Sequence, residues 1–326
     1  MRANLAIVIL LFLIGCIQEN PEVNNLSDQP VSPSVYPPEF KADSAYSYIQ
    51  KQVNFGPRVP NTQPHKECRD YLIEKLQSYG LKVTAQNGVA NAFDGTKLNF
   101  TNIIAAYRPE EKSRILLCAH WDTRPFADQD KNQPNMPILG ANDGGSGVGV
   151  LLEIARQFSI KNPTIGVDII LFDAEDYGQP ENSGFPIMQN SWCLGSQYWS
   201  NNPHKASYFA RYGILLDMVG AENATFRHEE ISFYYGSTIL QKVWRKASRL
   251  GFGNYFVFEN AKQIMDDHYY VNTITGIPTI DIIEYDPSTK SNFNKHWHTH
   301  KDDMDNIDKN TLNAVGQTLL EVIYNE

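Results

Sequence analysis

Short, continuously apolar runs alternate with stretches of helical periodicity from residue 40 to the end of this 326-residue chain. Apolar positions recur at helical spacing over Ala42–Val53 and His65–Tyr79, with Gly80 placed to stop the second helix. Strand-like runs follow near Val83, at Asn102–Tyr107 and at Arg114–His120. The pattern then predicts a helix over Gly147–Phe158, a strand entering Val167–Asp176, a strand within Tyr212–Gly220 and a helix over Ile239–Leu250. A strand at Pro278–Tyr285 and a closing helix at Asn310–Tyr324 complete it, and no repeat at solenoid periods is present. Strands that are apolar on both faces, with helices between them, belong to a buried and mostly parallel sheet. The expected fold is an α/β, three-layer αβα domain with a mixed, largely parallel central sheet, one unit spanning residues 39–326.

The N-terminus departs from this pattern. Met1-Arg2 is a short positive start, Leu5–Ile14 is an apolar run too short to span a bilayer, and Leu13-Ile14-Gly15-Cys16 resembles a bacterial lipobox. Residues 1–15 are expected to be a lipoprotein signal peptide. Cys16 would then carry the lipid that anchors the exported chain to a membrane, facing the periplasm or in the outer membrane of a Gram-negative bacterium. An ordinary secretory signal with an incidental cysteine is the alternative. Residues 16–38, rich in Pro, Ser, Asn and Gln, read as the lipidated Cys and a solvated tether. Cys68, Cys118 and Cys193 remain, enough for one disulfide at most, with Cys118 a small core residue of an apolar strand.

With 42% hydrophobic and 20% charged residues the chain is neither disordered nor a disulfide scaffold, and its net charge of -9 argues against nucleic acid as a partner. Where the charge falls is more informative. Nearly every predicted core strand runs into acidic or histidine residues: one reaches His120 and Asp122, others Glu175 and Asp176, Asp217, and Glu284. Asp143 lies in the glycine-rich loop GANDGGSGVG and His298 in KHWHTH. Open α/β sheets hold ligands at the carboxyl ends of their strands, and carboxylate with imidazole suits zinc. Singly, Asp143 could cap a helix, Glu175, Asp176 and His298 could be solvated loop residues, and Asp217 could pair with a buried arginine. One metal site accounts for all of them together. The glycine run lacks the Gly-Lys-Ser/Thr of a P-loop and does not match GxGxxG.

HWD at His120–Asp122, GANDGGSGV at Gly140–Val148, FDAED at Phe172–Asp176, LLDMVG at Leu215–Gly220, MDDH at Met265–His268 and WHT at Trp297–Thr299 follow the motif order of M28-type zinc peptidases. The set more closely resembles the glutaminyl-peptide cyclotransferases, or glutaminyl cyclases, of that superfamily, from about residue 50 to the end of the chain. The lipobox and the AEDYG segment are similar to bacterial, Bacteroidetes-type members. The resemblance implies a zinc aminopeptidase-like (phosphorylase/hydrolase-like) fold and one zinc held by Asp143, Asp176 and His298, with a fourth position open to substrate. It implies Glu175 as general acid/base, Asp217 and Asp266 as carboxylates that share a hydrogen bond and hold the scissile amide, and Trp297 as an aromatic wall beside the metal. A second pocket tryptophan of the animal enzymes has no clear counterpart, because the insertion GQPENSGFPIMQNS follows the Glu-Asp pair; Trp192 or Phe185 would supply that surface. Where animal cyclases carry Glu-Glu, this chain carries Glu175-Asp176, a metal ligand one methylene shorter.

Such an enzyme converts the N-terminal Gln of peptides and proteins to pyroglutamate and releases ammonia. Two alternatives stand beside it. A two-zinc M28 aminopeptidase would bridge its metals with Asp143, bind the second through His120 and Asp217, and use Glu175 to activate water. A peptide-binding surface lipoprotein without catalysis would have no need of intact Asp143, Glu175, Asp176 and His298. Trp297 directly before His298, the segment supplying Asp266 and the Glu175-Asp176 variant favour the cyclase.

Overall fold

The computed structural model describes residues 36–326; the expected signal peptide, Cys16 and most of the expected tether lie outside the described residues. Two helices, α1 (Ala42–Val53) and α2 (Gln63–Ser78), lead into the antiparallel strands β1 (Lys82–Asn91) and β2 (Lys97–Tyr107). Next come β3 (Arg114–His120), α3 (Gly145–Ile160), β4 (Gly166–Phe172), α4 (Leu194–Asn201) and β5 (Gly213–Asp217). The strands β6 (Phe226–His228) and β7 (Phe256–Asn260) flank α5 (Glu230–Arg249), and α6 (Asp267–Tyr270), β8 (Thr279–Ile283) and α7 (Lys309–Tyr324) follow.

The main sheet has the order β1-β2-β4-β3-β5-β8. β4, β3, β5 and β8 are parallel, β2 runs against β4, and β1 runs against β2. All 7 residues of β3 and all 7 of β4 are buried, which is why both read as unbroken apolar runs. Alternate side chains feed opposite faces. Ile115, Leu117 and Ala119 join a large core with α1, α3, α5 and α7, whereas Leu116 and Cys118 join a smaller one closed by Trp199 of α4. These are the three expected layers. Because the four parallel strands point the same way, the residues that follow them converge on one edge.

Departures from the expected elements have local causes. β1 has no buried position, so only the short run near Val83 stands out in a strand that extends to Asn91. α5 starts at Glu230 and not at Ile239: its first half exposes Phe233, Tyr234 and Tyr235 and breaks at Gly236 (φ -132°, ψ 30°), which scatters apolar residues off one face. Cys68, Cys118 and Cys193 are buried free thiols. Among the described residues no helix is long and apolar enough to cross a membrane.

Candidate metal centre and active site

Loops at the carboxyl edge bring Asp143, Asp176 and His298 together, with one ligand atom from each within 4.8 Å of the others and all three residues buried. His298 Nε2 lies 3.4 Å from Asp176 Oδ1 and 3.6 Å from Asp143 Oδ2. Each is held from behind. The Asp143 loop is pinned by Asp302, whose carboxylate accepts the backbone N–H of Asn142 at 2.7 Å and of Asp143 at 3.0 Å. Gly144, at φ 81°, packs so tightly that a Cβ would meet the Asp122 carbonyl at 2.8 Å and the His120 ring at 2.9 Å. At Gly147 a Cβ would lie 2.4 Å from the Leu216 carbonyl, so this glycine lets α3 close on β5. Asp122 accepts the N–H groups of Glu175 at 3.1 Å and Asp176 at 3.2 Å, fixing the turn after β4. His298 Nδ1 faces Asp128 Oδ1 at 3.0 Å, and buried Arg124 donates to that same oxygen at 2.6 Å. A carboxylate behind a ligating imidazole orients the ring and sets its tautomer. Ala174, Cys193, Met218 and His298 all adopt left-handed backbone, at φ 52°, 58°, 48° and 55°. Strain of this kind, ~1–3 kcal/mol per residue, persists where surrounding contacts over-determine the chain.

The centre holds more negative charge than its protein partners neutralise. Burial pushes Asp176 up to about 6, the Asp143 carboxylate adds to this, and His298 and Arg124 work against it. Asp176 Oδ2 is buried without a hydrogen-bond partner. Burial also holds Glu175 well above the usual carboxylate range, with His120 opposing and Asp176, Asp266 and Asp267 reinforcing. Two buried carboxylates with an orphaned oxygen, beside an imidazole nitrogen, are relieved by a divalent cation, and this O/N donor set is one that zinc takes. The residues fit the implied metal. His120, Asp143 and Asp217 form a second buried group of the same compactness. His120 Nε2 sits 3.0 Å from Asp143 Oδ1 and 3.2 Å from Asp217 Oδ1. Burial disfavours a charge on His120, but Asp122, Asp143 and Asp217 outweigh it and keep its pKa well above the ordinary value.

A cavity of about 180 Å³ opens on this centre, lined by Asp143, Glu175, Asp176 and His298 together with Asp217 and Asp266. Trp297 stacks on His298 with ring centres 3.6 Å apart, and Trp192 lies nearly parallel to the same ring, 5.9 Å away at 9°. Both line the cavity, so Trp192 supplies the second aromatic surface. Phe185 does not: it is 49% exposed and packs edge-on against Phe93. The insertion carries it outward before the chain returns at Trp192, whose ring lies under the Arg124 guanidinium at 4.4 Å.

Two further expectations need correction. Asp217 takes its hydrogen bond from His120, while Asp266 accepts the Asp267 N–H and lies in a compact buried group with His268 and Asp281. Asp217 is thus grouped with His120 and Asp143, and Asp266 with the deeper His268 and Asp281, in place of the implied Asp217–Asp266 hydrogen bond. Glu284, which directly follows β8, does not line the cavity; buried, it accepts from Asn294 Nδ2 at 3.1 Å and anchors the segment before Trp297.

The sequence pattern gives no sign of several supporting groups. Cys193 Sγ donates to Glu175 Oε1 at 3.2 Å, and the Cys193 N–H donates to the Glu175 carbonyl at 2.9 Å. Behind Asp281, His268 Nδ1 lies 3.7 Å from its Oδ2, and His268 Nε2 lies 3.1 Å from Glu229 Oε2. Asp128 and Arg124 fall in an irregular loop after β3, where only the density of charge in HWDTRPFAD hints at use.

An open, largely parallel α/β sheet with carboxylate and imidazole donors gathered at its carboxyl edge defines a metal-dependent enzyme of the aminopeptidase type. The chain belongs to peptidase family M28, whose model matches residues 102–323. Among solved structures it is similar to the glutaminyl cyclase of Bacteroides thetaiotaomicron bound to N-acetylhistamine: 55% identity over 89% of this chain and 99% of that one, TM-score 0.87. A Zn-dependent exopeptidase from Parabacteroides distasonis is similar to the same degree, at 54% identity over 89% and 99% of the two chains, TM-score 0.87. The glutaminyl-peptide cyclotransferase of Dictyostelium discoideum is 26% identical over 316 residues, 83% of this chain and 82% of that protein.

Proposed function

We propose that this chain is a zinc-dependent glutaminyl-peptide cyclotransferase that closes the N-terminal Gln of peptides and proteins to pyroglutamate with loss of ammonia. The observation that carries this is the cavity of about 180 Å³, side-chain sized, with Trp192 and Trp297 as walls and the metal-ligand set and Glu175 lining it. Its likeness to bacterial glutaminyl cyclases over nearly their whole length supports the same reading.

In the reaction the α-amine attacks the side-chain amide carbon, the bond to the amide nitrogen breaks, and that nitrogen leaves as ammonia. Glu175 takes the proton from the amine and returns it to the departing nitrogen; a base raised by burial works nearer neutral pH than a solvated Glu. Burial pushes Asp217 up to about 7 against the pull of His120, and burial raises Asp266 as well. A carboxyl that keeps its proton near neutrality can donate a hydrogen bond to the bound amide. The two indole walls keep water out and hold the side chain folded toward its own amine, which favours ring closure over hydrolysis. Bound zinc would supply Lewis acidity toward the amide carbonyl, and Asp143, Asp176 and His298 would hold it. We assign one ion on the features that favour the cyclase: Trp297 directly before His298, the segment supplying Asp266, and the Glu175-Asp176 variant.

A two-zinc aminopeptidase is the second reading, favoured by the compactness of His120, Asp143 and Asp217. Purified protein offered Gln-coupled and Leu-coupled fluorogenic amines, with bound zinc counted, separates the two. Pyroglutamate formation with one zinc per chain supports the cyclase; release of Leu with two zincs would sink it. The proposal extends to an exported lipoprotein acting on proteins whose processing exposes an N-terminal Gln, supported by the lipobox-like segment before Cys16. Mass spectrometry of detergent-extracted protein should find a lipidated Cys16 as the first residue, and an unmodified N-terminus elsewhere would overturn that part.

A further inference from the structure

We propose that the substrate chain beyond its Gln runs out of the active cavity along a groove into an aromatic pocket, which selects an apolar side chain a few residues downstream. The identity of the occupant rests on the cyclase reading. Three cavities lie in series. The active cavity shares Trp192 and Trp297 with a groove of about 660 Å³. That groove shares Asp128, Gln129, Pro180 and Glu181 with a third cavity of about 420 Å³, which has no lining residue in common with the first. A peptide held by its first residue between the two tryptophans has the adjoining groove and then the third cavity ahead of it.

The far pocket is built by three separate loops. Phe93 comes from the turn between β1 and β2, Phe126 from the segment after β3, and Phe185 from the segment after β4. Phe93 meets Phe126 at 6.0 Å and 62°, and meets Phe185 at 5.6 Å and 81°. Tyr177 closes the cluster, 5.8 Å from Phe126. The rings meet edge to face, as aromatic pairs prefer, yet border an open cavity, and Phe185 stays about half exposed. Covering that surface with an apolar side chain recovers its hydrophobic free energy. The groove between carries Lys290 and Lys295 along with Asp128 and Glu181, so it presents both signs of charge and no net preference. Selectivity therefore falls to the aromatic end. This is also a use for the insertion after Glu175-Asp176, which brings Phe185 to the pocket instead of to the metal centre.

The test is a set of Gln-initiated five-residue peptides with Ala throughout, or with Phe, Lys or Glu placed at one of positions two to five. Pyroglutamate formation is measured on the wild type, and peptide affinity on Glu175→Gln protein by calorimetry. Phe at one position, and not at the others, should raise kcat/KM by about tenfold, chiefly through KM, and tighten Kd in parallel. In Phe185→Ala the ratio of the Phe to the Ala peptide at that position should fall to near one, and Phe185→Leu should keep part of it. Equal kcat/KM and Kd for Phe and Ala at every position, or a preference that survives in Phe185→Ala, overturns the proposal. If no Gln peptide is cyclised, the cyclase reading fails, while the affinity series still decides whether the aromatic pocket binds the chain.

Discussion

Replacing Asp122 by Asn exchanges one oxygen for an NH2 group and leaves the side-chain volume unchanged. Asp122 is fully buried, and its two oxygens accept the backbone N–H groups of Glu175 and Asp176 at 3.1 and 3.2 Å. An asparagine has a single acceptor oxygen, so one of these amides must face an NH2 group and lose its partner. An orphaned buried donor costs ~1–3 kcal/mol. In a domain of this size each kcal/mol moves the melting temperature by ~2–4 °C, which predicts a fall of ~2–12 °C, with a larger fall for Asp122→Ala. The turn that loosens carries both the proposed base and a metal ligand, and a displacement of ~1 Å there can cost ~100-fold in turnover. Calorimetry on metal-free and zinc-loaded protein, with turnover and zinc content, reads all of this. If Asp122→Asn melts with the wild type and turns over at its rate, the carboxylate is not what fixes the turn.

Three other outcomes follow from the same contacts. Burial pushes Glu284 up to about 7, with Asn294 opposing and Asp286 adding, so the folded chain keeps a proton that the unfolded chain releases near 4.5. Stability should fall as pH rises through that window, by up to ~3 kcal/mol. Glu284→Gln, which imitates the protonated form, should melt higher than wild type in mild alkali and match it in mild acid; a gap independent of pH would contradict this. Cys193→Ala removes the thiol donor on Glu175 and should lower kcat by ~10-fold with KM and zinc content little changed, while Cys193→Ser restores it; full activity in the alanine variant would remove Cys193 from the site. Asp128→Asn should weaken zinc binding by ~10–100-fold in competition with a chromophoric chelator, because Asp128 stands behind His298; unchanged affinity would show that the ring is held by other contacts.

Asp143, Glu175, Asp176 and Asp217 were legible in the sequence because each follows a strand, or a strand and loop, whose apolar run can only be interior. His298 was legible through its place beside Trp297 in an ordered series of motifs. The groups that orient them were not. Asp128 faces His298 directly at 3.0 Å from a distant loop, its neighbours Asp130 and His300 touch in the same way at 3.2 Å, and no local period announces such contacts. Asp302 and Cys193 act on backbone or side-chain atoms of distant loops, and a lone Asp or Cys in a loop looks the same with or without such a partner. Trp192, with Phe185 beside it as the other candidate, was legible from its place next to the insertion; the contacts that set its ring parallel to His298 were not. The edge strand β1 and the first half of α5 were faint for a different reason: each exposes too much of its length for burial to impose a pattern.

Cyclisation is read directly by mass spectrometry of a Gln-initiated peptide after incubation with the zinc-loaded protein. The expected product is lighter by one ammonia with every residue still in the chain, formed by the wild type and nearly abolished in Glu175→Gln. Free glutamine beside a peptide shortened by one residue would contradict it and establish the aminopeptidase instead.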